Sequence, residues 1–238
     1  MKTRKRSITT IATSFAGVVL VATATALGAG AAVSGTPQDL AVSSWFTHAG
    51  HVSPLAAGIA YQASSYPLKL RVTPPDGSWG GAQWKSASLN KVAPFYGWVV
   101  FARGGKPNAP TCAVVLETAY ARTASVAKTV VGLRTRGHGV DLGASSAINV
   151  AGFSGVQFDA KVTGKRHVFV PYSPPTTTSA YFPDSYEVYT GELLRLQVLS
   201  VRGKTVVVYI DNVGSPPNAF PACLDKTTEI LSALKFPA

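Results

Sequence analysis

The sequence offers few residues at spacings that could do chemistry. His48 and His51 stand three positions apart, a spacing that can place two imidazoles on one metal ion. A zinc site takes four protein ligands, or three and a water. No Cys or Glu stands beside the pair, so it reads as an exposed loop, and no metal site is expected. Gly152-Phe153-Ser154-Gly155 approaches the G-x-S-x-G elbow of serine hydrolases but lacks the residue between Ser154 and the second glycine. Strand patterns flank it on both sides, where an elbow needs a strand and then a helix. It reads as a turn between strands. The run from Gly137 to Gly143 is glycine-rich, but it follows a helical pattern instead of opening one, the reverse of a dinucleotide site. Its glycines suit a helix stop and a turn, with His138 and Asp141 as a hydrogen-bonded pair.

Carboxylates are scarce. Glu117, Asp159 and Asp211 alternate with apolar neighbours inside strand patterns, so all three are expected to point outward from a sheet. A glycosidase pair would require the fold to bring two of them together. The catalytic alternative that survives is a secreted hydrolase using His138 or His167 with Asp141 or Asp159.

Aromatic residues form the other candidate set. Trp79, Trp84 and Trp98 lie close in sequence, with Arg103 following. Indole rings offer apolar area with a polar handle, which suits sugar rings and lipid chains. The same rings can fill the seam between a sheet and its helices. These four residues are the ligand-binding candidates; no catalytic residue and no cofactor is expected.

The first 31 residues set the context. Lys2, Arg4, Lys5 and Arg6 precede a charge-free stretch from Ser7 to Gln38, and Ala29-Gly30-Ala31 supplies an A-x-A cleavage pattern. This is the arrangement of a secretory signal peptide, with an uncleaved membrane anchor as the alternative. Cleavage after Ala31 leaves 207 residues and lowers the net charge from +11 to +7. The basic residues are scattered, which argues against a nucleic-acid module and leaves weak association with anionic surfaces. In an oxidising compartment the two cysteines, Cys112 and Cys223, suggest one disulfide; two buried thiols are the alternative.

Residues 32–65 are rich in Ala, Ser and Gly and read as a flexible arm without a core. From residue 66 onward the patterns sharpen. Leu68, Leu70 and Val72 alternate with Lys69 and Arg71 as a half-buried strand does. Pro74-Pro75-Asp76-Gly77 is a turn, and a Trp/Gly-rich loop follows over 79–84. Strands are expected over 95–103 and 112–120. A helix over 123–136 is capped by Thr123 or Ser125 and closed by Gly137. Strand periods return over 146–170, a loop covers 171–183, and 185–190, 193–201 and 205–211 form an antiparallel meander. A helix over 219–234 closes the chain, with an inward stripe of Phe220, Leu224, Thr227, Thr228, Leu231 and Leu234. The sum is an α+β fold: an antiparallel β-sheet with flanking helices, in a single domain over 66–238. In that layout Cys223, early in the last helix, could reach Cys112 at a strand start.

Several stretches together resemble the Mog1/PsbP-like α/β sandwich, as found in uncharacterised secreted proteins of actinobacteria. These are Leu70 to Trp79, Val150 to Asp159, and Thr205 to Asp211 with the helix through Phe236. The resemblance implies a scaffold for binding or assembly, with no common catalytic set to carry over. The expectation is therefore a monomeric, non-enzymatic, extracytoplasmic binding or accessory protein of the cell envelope, whose partner is a lipid, glycan or protein and not a nucleic acid. A purely structural surface protein is the third reading.

Overall fold

The computed structural model describes residues 35–43, 52–84, 97–103, 112–118, 125–136, 139–163, 166–169, 186–213 and 216–238. The expectations for the signal segment, for His48, His51 and His138, and for the 171–183 loop lie outside these residues, as do the side chains of Trp84 and His167. All described residues belong to one unit, Val33–Ala238.

In chain order the elements are β1 (Gln38–Asp39), β2 (Val42–Ser43), β3 (Ser53–Pro54), β4 (Tyr61–Ala63), β5 (Leu70–Val72), β6 (Trp79–Trp84), β7 (Trp98–Arg103), β8 (Cys112–Thr118), helix α1 (Val126–Arg136), β9 (Val140–Leu142), β10 (Ser146–Val150), β11 (Phe153–Val162), β12 (Arg166–Phe169), β13 (Tyr186–Tyr189), β14 (Leu193–Val201), β15 (Lys204–Asp211), a 3-10 turn (Pro217–Ala219), helix α2 (Phe220–Ser232) and β16 (Leu234–Lys235). Ten strands form the main sheet in the order β10-β11-β14-β15-β8-β7-β6-β2, with β3 also on β6 and β9 also on β11. Its core pairings are antiparallel. A second sheet runs β1-β4-β5-β16. The α+β class read from the sequence is the class observed.

Local chemistry explains the sheet. β14 and β15 join through Arg202 and Gly203, and β10 and β11 through Ala151 and Gly152. All four loop residues have positive φ, the two-residue hairpin geometry that follows the twist of the strands. The middle strands carry apolar residues on both faces. Leu116, Val206 and Val208 join α2 residues Cys223, Ile230 and Leu231, and the second sheet, in one core cluster. Val115, Val207 and Leu196 join α1 residue Leu133 in another. The two helices therefore cover opposite faces. Ser125 caps α1, its hydroxyl accepting from the Lys128 amide at 3.3 Å. The inward stripe of α2 is Phe220, Cys223, Thr227, Ile230 and Leu231, turned toward Cys223, while Leu224 is half-buried and Thr228 is exposed.

Four expectations are corrected. Residues 79–84 form a strand, not a loop, because both faces of β6 are covered: a β-carbon at Gly80 would meet Val52, and one at Gly81 would meet Leu55 and Leu40. Those covering residues come from 32–65, so that segment has core positions after all, with Leu40, Leu55, Tyr61 and Ala63 buried. Their spacing follows no period, since each docks through its own short strand or turn. β13 pairs with β12 and not with β14, so 186–189 lies outside the meander; β14 is flanked by β11 and β15. Finally, Glu117 and Asp211 do not point outward but are buried, at 0% and 3% exposure. Both strands are covered on two faces, where alternation no longer marks a solvent side.

Candidate functional site

Trp79 opens β6, directly after the turn that carries Asp76, and pairs in register with Arg103 at the end of β7. Cross-strand partners share a face, and the Arg103 guanidinium lies 5.8 Å from the centre of the Trp79 ring. Nη1 of Arg103 donates to Asp76 at 3.3 Å and lies 3.9 Å from the Glu229 carboxylate of α2. Lys226 donates to Glu229 at 2.8 Å, one turn along the same helix. Asp76 is held below the ordinary carboxylate range by the hydroxyl and amide of Ser78, then by the charges of Arg103 and Lys226. The hydroxyl bond from Ser78 is short, and the amide bond measures 2.9 Å. An Asp two residues before the amide it accepts from is a local Asx turn, which the Asp-Gly-Ser sequence encodes.

Cys112 pairs in register with Arg103, on the same face. It is bonded to Cys223 of α2, with Cα atoms 5.4 Å apart and both residues buried. The last helix is thus fastened to the sheet by a covalent bond at Cys223 and by an ion pair two turns later at Glu229. Arg103 keeps a fifth of its side chain exposed. It is the only member of the original candidate set seen at the surface among the described side chains.

The four aromatic-and-arginine candidates do not form one platform. Trp79 is 1% exposed and sits in the α2-side core with its indole N–H unpartnered. Trp98 is 4% exposed and sits in the α1-side core, on the opposite face of the sheet. Trp84 ends β6 in register with Ser43. Trp79 and Arg103 are brought together; Trp98 is separated from them by the thickness of the sheet.

The acidic candidates divide as well. Asp159 is exposed and takes a bidentate pair of hydrogen bonds from Arg195 across β11 and β14, at 2.7 and 3.0 Å. Asp141 stands opposite Lys161. Glu117 accepts from the Tyr209 hydroxyl at 3.1 Å, in register with Trp98. Burial first, and then the Glu117 charge, raise the Tyr66 phenol well above its ordinary value, so that phenol stays neutral. Glu117 and Asp211 share the α1 face, but Glu117 faces Val207 and Asp211 faces Ala113. The offset is four residues, about 13 Å of strand. Retaining and inverting glycosidases hold their carboxyl groups within about 10 Å, so these two do not make such a pair. The Asp76–Arg103–Glu229 chain, the Asp159–Arg195 pair and the Glu117–Tyr209 contact are polar arrangements that the sequence did not reveal. The i,i+3 spacing of Lys226 and Glu229 was the one available signal.

The arrangement defines a disulfide-clasped α+β sandwich. No protein-family model and no curated protein matches the chain. Solved structures similar to it include a cyanobacterial PsbP (CyanoP) from Synechocystis, 13% identical with a TM-score of 0.42, covering 81% of this chain and 99% of that one. LpqN of Mycobacterium tuberculosis, involved in cell envelope biogenesis, is 16% identical with a TM-score of 0.34, covering 79% and 92%. A Pseudomonas aeruginosa protein of unknown function is 14% identical with a TM-score of 0.35, covering 55% and 79%. Likenesses of this size carry no activity, ligand or partner to the present chain.

Proposed function

We propose that this chain is an exported, non-enzymatic binding or accessory protein of the cell envelope, acting on a lipid, a glycan or another envelope protein. The observation that carries this reading is the buried Cys112–Cys223 bond. A disulfide that ties the last helix to the middle of the sheet belongs to a chain that matures in an oxidising compartment, as the N-terminal pattern of basic, apolar and A-x-A segments also indicates. The use made of the described charged groups supports the non-catalytic half. Arg103, Asp76, Glu229 and Lys226 cross-link a turn, a strand end and a helix. Asp159 and Arg195 bridge two strands.

This reading puts the ligand contact at Trp84, at the end of β6 remote from the Trp79–Arg103 pair. Trp84→Ala should reduce the lipid or glycan that co-purifies with the full-length chain, while leaving its melting temperature nearly unchanged. A large drop in melting temperature would make Trp84 a packing residue instead. Mass spectrometry of the culture supernatant tests the rest of the reading: it should find the chain shortened at Ala31 with Cys112 and Cys223 bonded. A chain retained in the cytosol with free thiols would refute export.

A further inference from the structure

Helix α1 packs one face on the sheet and leaves the other without a partner among the described residues. Val126, Thr129, Val130 and Leu133 are buried or half-buried, while Ala127, Lys128, Val131, Arg134 and Thr135 are exposed. At 100° per residue, Val131 lies at the middle of the outward face. It is 61% exposed, and it and Val42 are the two large exposed hydrophobic residues among those described. Lys128 stands one turn before Val131 and Arg134 one turn after. The Arg134 guanidinium lies over Phe158 and donates once, to the Gly143 carbonyl at 3.1 Å, leaving the rest of its fork exposed. The Thr135 hydroxyl is turned back on the helix, donating to the Val131 carbonyl at 2.9 Å. No acidic residue occurs between Glu117 and Asp141, whereas Arg122, Lys128, Arg134 and Arg136 all do.

From this geometry we infer that the outward face of α1 is a docking surface for an anionic lipid bilayer. The inference rests on the reading of the chain as an envelope protein and names one of its partners. The charged side chains described on this face are cations alone, Lys128 and Arg134, around an apolar side chain that no described residue covers. Cations by themselves would suit any polyanion. The central valine decides for a membrane, because an interfacial helix buries apolar side chains below the headgroups while its cations meet the phosphates. A soluble polyanion offers no such layer.

Sedimentation of the secreted chain, shortened at Ala31, with vesicles tests this. Vesicles of equal parts phosphatidylglycerol and phosphatidylcholine should bind the chain, and pure phosphatidylcholine should not. Each cation near an anionic surface is worth about fivefold in binding. Lys128→Gln should therefore cost about fivefold, and the double variant Lys128→Glu with Val131→Asp, a change of three charges, about a hundredfold. Val131→Asn should weaken vesicle binding several-fold and leave retention on soluble polyphosphate unchanged. All substituted side chains are exposed, and circular dichroism should show the fold retained in each variant. Vesicle binding unchanged in Lys128→Gln overturns the inference. So does vesicle binding unchanged in Val131→Asn and abolished by competing polyphosphate, which would make the face a site for polymers. Export and ligand co-purification are measured separately. A secreted, ligand-bearing chain indifferent to vesicles would defeat this inference alone, and a cytosolic chain that binds vesicles through α1 would defeat only the proposed function.

Discussion

Gly155 illustrates how one residue changes meaning between sequence and structure. The Gly-Phe-Ser-Gly string reads as a turn, and the turn is real, but it falls on Ala151 and Gly152. Gly155 lies within β11, where a β-carbon would come within 2.2 Å of the Val198 carbonyl oxygen and 3.0 Å of the Leu199 Cα. Both are backbone atoms of the neighbouring strand and cannot swing aside. Gly155→Ala should lower unfolding free energy by about 3 kcal/mol in urea titration, the upper part of the range for overpacking. Gly77→Ala, where a β-carbon meets nothing within 4 Å, should stay within about 0.5 kcal/mol. Equal losses at the two sites would show that the close approach at β11 is absent. Glu117 makes the same point from the polar side. Alternation with Leu116 and Thr118 suggests a solvated carboxylate, yet the strand has no solvent side and the charge ends beside Tyr209.

At the scale of elements, α2 shows what pattern reading achieves and where it slips. Its existence and approximate limits follow from the prolines before it and the apolar period within it. Its rotation does not, because Leu224 and Cys223 compete for the inward position and the bond to Cys112 favours Cys223. That bond closes a separation of 111 residues. The chain-entropy account gives a loop of that length about 4–5 kcal/mol. Replacing both cysteines with serine should lower the unfolding free energy by about that amount, read from the urea midpoint at unchanged slope. A loss below about 1 kcal/mol would mean that the helix is held by its apolar stripe and the Arg103–Glu229 pair alone. The segment 35–65 carries the opposite lesson. Its composition suggests a loose arm, and its short strands are recruited by partners far away in sequence: β1 by β4, β2 and β3 by β6.

For the molecule as a whole, stability should be unevenly distributed. β8, β14 and β15 lie mid-sheet with helices and a second sheet packed on their faces, and β8 has no exposed residue. Their amides should exchange with solvent last, at the free energy of global unfolding, while β10 and β2 at the sheet edges exchange through smaller openings. Slowest exchange at an edge strand would contradict this arrangement of layers. By itself the sequence determined the two helices, most of the strands from residue 98 onward, the two hairpin turns, the α+β class and the pairing partner available to each cysteine. These depend on local periods, on turn residues and on there being only two thiols. Only the tertiary structure decided which face each residue meets. It set Trp79 and Trp98 on opposite sides of one sheet, buried Glu117, docked the early strands on β6 and left Val131 outside. Those outcomes depend on contacts between residues distant along the chain, and no local period records them.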